Sequence, residues 1–103
     1  MIEEGTPNAA LAEVWAHLPA HDSTAQTVAD VRVDAGAVLP ESGSYHHYEG
    51  SLTTPPCSEG VRWFVLSQPI SMSAAQIKKF ENAVGHNARP VQPLHGRHIN
   101  GSD

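Results

Sequence analysis

Two threonines followed by two prolines, Thr53-Thr54-Pro55-Pro56, form the segment of this sequence with the clearest chemical potential. Each proline fixes its own φ angle and restricts the residue before it, so the loop has few accessible conformations. The threonine hydroxyls and N–H groups could therefore be aimed at an oxygen-rich ligand from a rigid frame. Proline-containing loops usually connect elements, so these residues alone favour a rigid turn between two strands.

Seven histidines raise the question of a metal site, because neutral imidazole is a common zinc ligand. The pairs nearest in sequence are His17 and His21, His46 and His47, and His95 and His98. Pro19 interrupts the first pair and ends the predicted helix there. The second pair occupies neighbouring positions of a predicted strand and would point to opposite faces. The third pair lies in an irregular segment, so we expect no metal site formed by this chain alone.

Cys57 is the single cysteine, so it has no partner within the chain for a disulfide. In a reducing compartment, such a residue most often serves as a small buried apolar side chain. In an exported protein, a lone cysteine would require a partner that this sequence lacks.

Strands on either side of the loop would position these residues. The apolar run 61–66 predicts a buried strand, placed centrally in a sheet. Residues 45–48 predict a short aromatic strand, and the alternation of valine or alanine with charged residues predicts another over 28–34. Residues 35–43 contain glycine and proline and predict a connection. Met1-Ile2 is typical of the end of an apolar strand.

Two helices are also predicted. The first carries apolar residues at helical spacing, with Asn8 as N-cap and Pro19 as stop: Leu11, Val14, Trp15 and Leu18. The second begins with a capping box formed by Ser73 and Gln76 and ends at Gly85. Its apolar stripe consists of Ile77, Phe80 and Val84. From His86 onward, we expect an extended segment held by packing.

Length and composition limit the possible functions. The 103 residues permit one domain, and 40% are apolar, but many of these are alanine, so the core should be thin. The net charge of −5 disfavours nucleic-acid binding through a basic face. No apolar run approaches the roughly 18 residues of a membrane span, and we expect no signal peptide because the first basic residue is Arg32.

The threonine segment and its flanks resemble the signature of the α-class carbonic anhydrases, in particular their bacterial members. The similarity lies in Tyr48–Cys57 and Glu59–Trp63, and extends to Glu3–Gly5, Asn8, Leu11, Asp30–Val33, Pro69–Ser71 and Asn87–Leu94. This resemblance implies a mainly β fold with peripheral helices, an α+β arrangement built on a large, mostly antiparallel central sheet. It also implies a zinc lyase that reversibly hydrates carbon dioxide to bicarbonate and a proton.

The resemblance assigns roles to individual residues. Thr53 matches the catalytic threonine whose hydroxyl accepts a hydrogen bond from zinc-bound hydroxide, and its N–H helps hold the product. Thr54 matches its neighbour in the anion pocket. The apolar residues that shape the carbon dioxide pocket match Leu52, Val61 and Trp63. Cys57 matches a position that forms a disulfide with an N-terminal cysteine in many exported bacterial members, and that partner is absent here.

The same family binds zinc through three histidines that lie upstream of the region resembling this chain. Residues 1–103 therefore resemble the C-terminal part of a single α-carbonic anhydrase domain, with the N-terminal part missing. Zinc makes the nucleophile by lowering the pKa of bound water from about 16 to about 7. We expect Zn²⁺ in a full-length member but none in this chain alone, and we expect the isolated chain to be inactive.

Three interpretations remain open. The favoured one is part of an enzyme acting on carbon dioxide and bicarbonate, whose partner would be the missing N-terminal part of the domain. The second is a non-catalytic carbonic-anhydrase-like binding module. The third is a small metal-binding domain that uses its own histidines. The family resemblance also implies a periplasmic or secreted location, although no signal peptide is visible in the sequence.

Overall fold

The structure is a computed structural model that describes residues 1–19 and 24–102. Its regular elements are β1 (Ile2–Glu4), α1 (Ala12–Ala16), a 3₁₀ helix (Ala35–Val38), β2 (Tyr45–Ser51), β3 (Glu59–Leu66), β4 (Ile70–Met72), α2 (Ala74–Val84) and β5 (Asn100–Gly101). The chain divides into two compact units. Residues 40–69 and 88–102 form most of the first, here called the sheet unit, and residues 2–39 and 70–87 form the second, the helical unit.

The sheet unit contains an antiparallel sheet with the strand order β3-β2-β5. Tyr48 lies opposite Trp63 and Gly50 opposite Val61, with an irregularity between Gly50 and Ser51. The predicted strand at 61–66 is present as part of β3, but its predicted central position is wrong within the described residues. β2 occupies the centre because the short β5 pairs with its second edge, and β5 lies in a segment for which no strand was expected.

In the helical unit, β1 pairs in parallel with β4, so that Ile2 lies opposite Ile70. The predicted capping box begins α2: Ser73 Oγ accepts the Gln76 N–H at 3.2 Å, and Gln76 Oε1 accepts the Ser73 N–H at 3.2 Å. Gln76 also bonds Asn8, accepting its N–H at 2.8 Å and donating to its carbonyl at 3.0 Å. The Gln76 side chain therefore takes part in the capping box of α2 and also holds the backbone of Asn8, in the segment before α1.

The first helix is shorter than the sequence predicts. α1 spans Ala12–Ala16 with Leu11 at its N-cap. Asn8 acts one turn earlier, where its Oδ1 accepts the Leu11 N–H at 3.1 Å. Trp15 stacks on Phe80 with ring centroids 5.7 Å apart and donates its indole N–H to the Gln76 carbonyl at 2.7 Å. The apolar face of α1 is thus oriented by α2, as the spacing of its apolar residues indicates.

The strand predicted over 28–34 is wrong, because the structure has a turn and irregular backbone there. Asp30 adopts a φ of 62°, which lies in the left-handed region and is incompatible with an extended strand. Asp34 ends the irregular stretch by accepting the Gly36 N–H at 2.9 Å, which caps the 3₁₀ helix. The predicted connection at 35–43 therefore begins with a helical turn.

The core is thin, as the composition predicts. Among the residues that the structure describes, Met72 is the one apolar side chain that is fully buried. Phe64 is 55% exposed, and Ile2, Phe80 and Val84 are also exposed. Within the described part of the chain, neither helix has the length and apolar character needed to cross a membrane.

Candidate active site

The threonine loop is closed by its own backbone. The Leu52 N–H donates to the Ser58 carbonyl at 2.9 Å, and the Cys57 N–H donates to the Thr54 carbonyl at 2.9 Å. Just before the loop, the Ser51 carbonyl accepts the indole N–H of Trp63 at 3.0 Å. The loop is therefore a closed turn that is attached to the neighbouring strand, and the Pro55–Pro56 peptide within it is cis.

One face of the strand pair lies beside this loop. Because side chains alternate along a strand, Tyr48 and Gly50 share a face of the sheet with Val61 and Trp63. A Cβ atom on Gly50 would lie 3.1 Å from Trp63 Cδ1 and 3.2 Å from Tyr48 Cε2. Glycine at this position lets both aromatic rings approach the backbone of β2.

The segment before β5 covers part of the same face through Arg97. Its guanidinium donates to three carbonyl oxygens, those of Glu49 at 3.0 Å, Pro93 at 3.1 Å and Leu94 at 2.9 Å. The guanidinium carbon also lies 5.7 Å from the centre of the Tyr48 ring, a cation–π distance. Arg97 thus fixes an otherwise irregular segment against β2.

The loop, this sheet face and residues 89–97 enclose a cleft of about 800 Å³. Its lining residues are Tyr48, Glu49, Gly50, Ser51, Thr53, Glu59, Gly60, Trp63, Arg89, Pro90, Val91, Gln92, Pro93, Leu94, His95 and Arg97. Thr53 is exposed and lies in this lining together with Trp63. The cleft therefore combines a hydroxyl group, aromatic surface and charged groups of both signs.

The other predicted site residues lie near the cleft but do not line it. Leu52 is 47% exposed, Thr54 is exposed, and Val61 is partly buried in β3. Cys57 is a free, partly buried cysteine with a φ of 56°. The structure thus brings Thr53 and Trp63 to one cavity and keeps Leu52, Thr54 and Val61 outside it.

Sequence reasoning missed Arg97 and the segment that it anchors. An arginine between Pro93 and the next strand was the available signal, because guanidinium has five donors that can satisfy carbonyls in a segment without regular structure. That signal is weak, since arginine on a surface is usually solvated. The role of Arg97 becomes evident only when β2 is brought beside residues 93–97.

No three His, Cys, Asp or Glu side chains come together to hold a metal ion within residues 1–19 and 24–102. His47 instead packs among aromatic rings, with centroids 5.8 Å from Phe64 and 6.2 Å from Tyr45. His46 Nδ1 lies 3.3 Å from Ser67 Oγ. His21, considered above with His17, lies outside the described residues. The described residues therefore do not supply a zinc ligand set.

The family model for eukaryotic-type carbonic anhydrases matches residues 1–103, the whole chain. The chain belongs to this family. The carbonic anhydrase of Pectobacterium atrosepticum is 49% identical over 102 residues, which cover 96% of this chain and 41% of that protein. The carbonic anhydrase of Nostoc sp. is 44% identical over 96 residues, which cover 93% of this chain and 36% of that protein.

Solved α-carbonic anhydrases share the fold. The enzyme from Thermovibrio ammonificans, in complex with the inhibitor sulfanilamide, superimposes with a TM-score of 0.89 at 43% identity, over 96% of this chain and 44% of that chain. The enzyme from Photobacterium profundum gives a TM-score of 0.86 at 44% identity, over 96% and 45%. The predicted α-carbonic anhydrase fold with an antiparallel sheet and helices is confirmed, and the chain spans about two fifths of the length of these carbonic anhydrases.

Proposed function

We propose that this chain contributes one wall of the active site of a carbonic anhydrase that interconverts carbon dioxide and bicarbonate. Thr53 carries the proposal, because this hydroxyl-bearing residue is exposed and lies in the lining of a cleft that Trp63 also lines. The closed backbone of residues 52–58 supports it, since a fixed loop can hold that hydroxyl in one orientation. Membership of the carbonic anhydrase family supplies the reaction class.

The chemistry of these residues suits the two ligands. The Thr53 hydroxyl can donate one hydrogen bond and accept others. It can therefore orient an oxygen of bicarbonate and accept a hydrogen bond from a protonated oxygen of the same ligand. Thr54 offers a second hydroxyl next to it. Carbon dioxide has no net dipole and prefers apolar surface, which Trp63 would provide in the cleft lining. Leu52 and Val61 lie outside that lining, and we propose that they contribute once the N-terminal part of the domain extends the pocket. The same apolar groups would exclude competing water from the reacting carbon.

The zinc ion of the family needs ligands that the described residues do not bring together. The chain spans 41% of the Pectobacterium atrosepticum protein. We therefore propose that residues 1–103 act as the C-terminal part of a single domain, whose N-terminal part supplies the metal ligands and is this chain's partner.

The isolated chain should accordingly be inactive. Metal analysis of the purified chain after incubation with zinc should find less than one ion per molecule, and stopped-flow hydration of carbon dioxide should equal the uncatalysed rate. Stoichiometric zinc together with hydration above background would contradict this and would favour a metal site formed by the chain's own histidines.

A chimera tests the proposed role of Thr53 directly. This chain would replace the matching 102-residue segment of the Pectobacterium atrosepticum protein, to which it is 49% identical. We expect the chimera to bind zinc and hydrate carbon dioxide. Thr53→Val should lower kcat about 10²-fold, the effect of removing one positioned hydrogen-bonding group, with zinc content unchanged.

Thr54→Val is the matched control, because it removes a neighbouring hydroxyl outside the cleft lining, and it should have the smaller effect. Unchanged kcat in Thr53→Val would exclude a catalytic role for that hydroxyl. A folded, zinc-loaded chimera without hydration activity would instead favour a non-catalytic binding module.

The periplasmic or secreted location implied by the family resemblance belongs to the same proposal. Cys57 is partly buried and free, so an oxidising compartment would allow it to pair with a cysteine of the N-terminal part. Fractionation of the source cells, followed by immunodetection of the chain, tests this location, and recovery in the cytosolic fraction alone would contradict it.

A further inference from the structure

Asn100 and Gly101 form the whole of β5, at the outer edge of the three-stranded sheet. Both residues are exposed. β5 pairs with β2 through two positions, His47 opposite Asn100 and His46 opposite Gly101. A strand this short, with a single partner strand among the described residues, opens at low free-energy cost.

The hydrogen-bond pattern determines the direction of the Gly101 amide. The next residue, Ser102, donates its N–H to the Tyr45 carbonyl at 2.8 Å. Residues along an antiparallel strand alternate between facing their partner strand and facing away from it. The N–H of Gly101 therefore points away from β2, toward the side of β5 on which the described residues form no strand.

We propose that Asn100-Gly101 is a site of spontaneous deamidation, with water as the co-reactant. The Gly101 nitrogen loses its proton to a solvent base and attacks Cγ of Asn100. The new N–Cγ bond closes a five-membered succinimide, and the Cγ–Nδ2 bond breaks as Nδ2 takes a proton from the solvent and leaves as ammonia. Water then opens either imide bond, which leaves aspartate or isoaspartate at position 100. The net change is the addition of one water and the loss of one ammonia.

Two features of the site favour this reaction. Gly101 has no Cβ atom beside its attacking nitrogen, so the ring can close without steric opposition. The Asn100 side chain makes no hydrogen bond to the residues that the structure describes, so none of these residues restrains its carboxamide. By contrast, Asn8 uses both ends of its carboxamide, accepting from Leu11 and donating to Ser71.

Isoaspartate would disrupt the end of the sheet. It routes the main chain through the former side chain and adds one methylene and a negative charge. The register of β5 against β2 requires a fixed spacing per residue. We therefore expect loss of the three hydrogen bonds between Ser102 and the backbone of Tyr45. The Ser102 N–H and Oγ both donate to the Tyr45 carbonyl, and Ser102 Oγ accepts the Tyr45 N–H.

Ageing of the full chain at neutral and mildly alkaline pH, followed by peptide mass spectrometry, tests the proposal. The peptide containing Asn100 should gain the mass that distinguishes a carboxylate from a carboxamide, faster at the higher pH. Its isoaspartate content should rise in parallel. The peptide containing Asn87, an exposed asparagine followed by alanine, is the internal control and should change at least about tenfold more slowly, or about 1.4 kcal/mol in barrier.

Gly101→Ala tests whether deamidation at Asn100 depends on the missing Cβ atom at position 101, rather than on a rate common to all asparagines of the chain. A Cβ at position 101 would lie 3.7 Å from Cδ2 of His46, an ordinary van der Waals distance, so the variant should keep the fold. It should slow the change at Asn100 about tenfold. Equal rates in Gly101→Ala and the parent chain, or equal rates at Asn100 and Asn87, would overturn the proposal.

Asn100→Asp provides the structural control, because it adds the charge without the extra methylene. Hydrogen exchange at Ser102 should be faster in the isoaspartate form than in Asn100→Asp. Equal exchange in the two forms would contradict the predicted break in register.

Discussion

Gly50 is the position at which three side chains of the cleft converge. A Cβ there would approach Trp63, Tyr48 and the Arg97 Nη1 atom, all at 3.1–3.3 Å. These contacts are tighter than ordinary packing distances, so a side chain would force at least one group to move. The cleft therefore depends on a residue without a side chain as much as on the residues that line it.

Arg97→Lys should loosen the segment 89–97. Lysine keeps the charge but cannot donate in a fork to the carbonyls of Glu49, Pro93 and Leu94. Each hydrogen bond from a charged group contributes about 1.5–3 kcal/mol, and loss of one should raise the rate of subtilisin cleavage within this segment roughly tenfold. Limited proteolysis with mass-spectrometric mapping of the cleavage sites measures this rate.

Arg89→Lys is the matched control for Arg97, because Arg89 lines the same cleft and makes no hydrogen bond among the described residues. Its cleavage rate should stay within twofold of the parent chain, roughly the effect of an exposed substitution. Equal cleavage of the two variants would show that the three carbonyl contacts do not restrain the segment.

At the scale of elements, the start of α2 allows a direct test of whether the Ser73 side chain caps this helix. Ser73→Ala removes the oxygen that accepts the Gln76 N–H at 3.2 Å and should destabilise the first turn of the helix by about 1 kcal/mol. Hydrogen exchange of the Gln76 amide should become about fivefold faster. Ser73→Asn, which retains a capping oxygen, should leave the rate near that of the parent chain, and equal acceleration in both variants would contradict a capping role.

The elements that the sequence predicts well are those whose signals are local. The Ser73 and Gln76 box and the stop at Gly85 fix α2 through bonds within one turn, so the sequence contains all the information needed. The segment 28–34 has an equally regular alternation, but a strand also requires a partner to pair with. The left-handed conformation of Asp30 breaks the pattern, and composition gives no sign of it.

The candidate site shows the same division. The Thr53 loop is recognisable from the sequence because its prolines restrict the backbone angles and its threonines supply hydroxyl groups within the same four residues. Arg97, in contrast, acts on the carbonyl of Glu49, 48 positions earlier in the sequence. Such a contact exists only after β2 and the later segment have been brought together, so spacing along the chain cannot reveal it.

At the scale of the whole molecule, burial is sparse in both units. Met72 is the one fully buried apolar side chain of the described residues, and Phe64 and Phe80 remain about half exposed. Hydrophobic burial is the main favourable term in folding, so a chain with this little of it should be marginally stable. Covering Phe64 and Phe80 by an N-terminal part of the domain would add the missing burial, in agreement with the proposed partner.

The unfolding transition of the isolated chain should therefore be broad and weakly cooperative. The two tryptophans report separately, because Trp15 lies in the helical unit and Trp63 in the sheet unit. Trp15→Phe and Trp63→Phe each leave one reporter, and urea unfolding followed by fluorescence should give different midpoints for the two. Far-UV circular dichroism of the parent chain should span both midpoints. A single sharp transition, with the same midpoint by every probe, would mean that the chain folds as one cooperative domain.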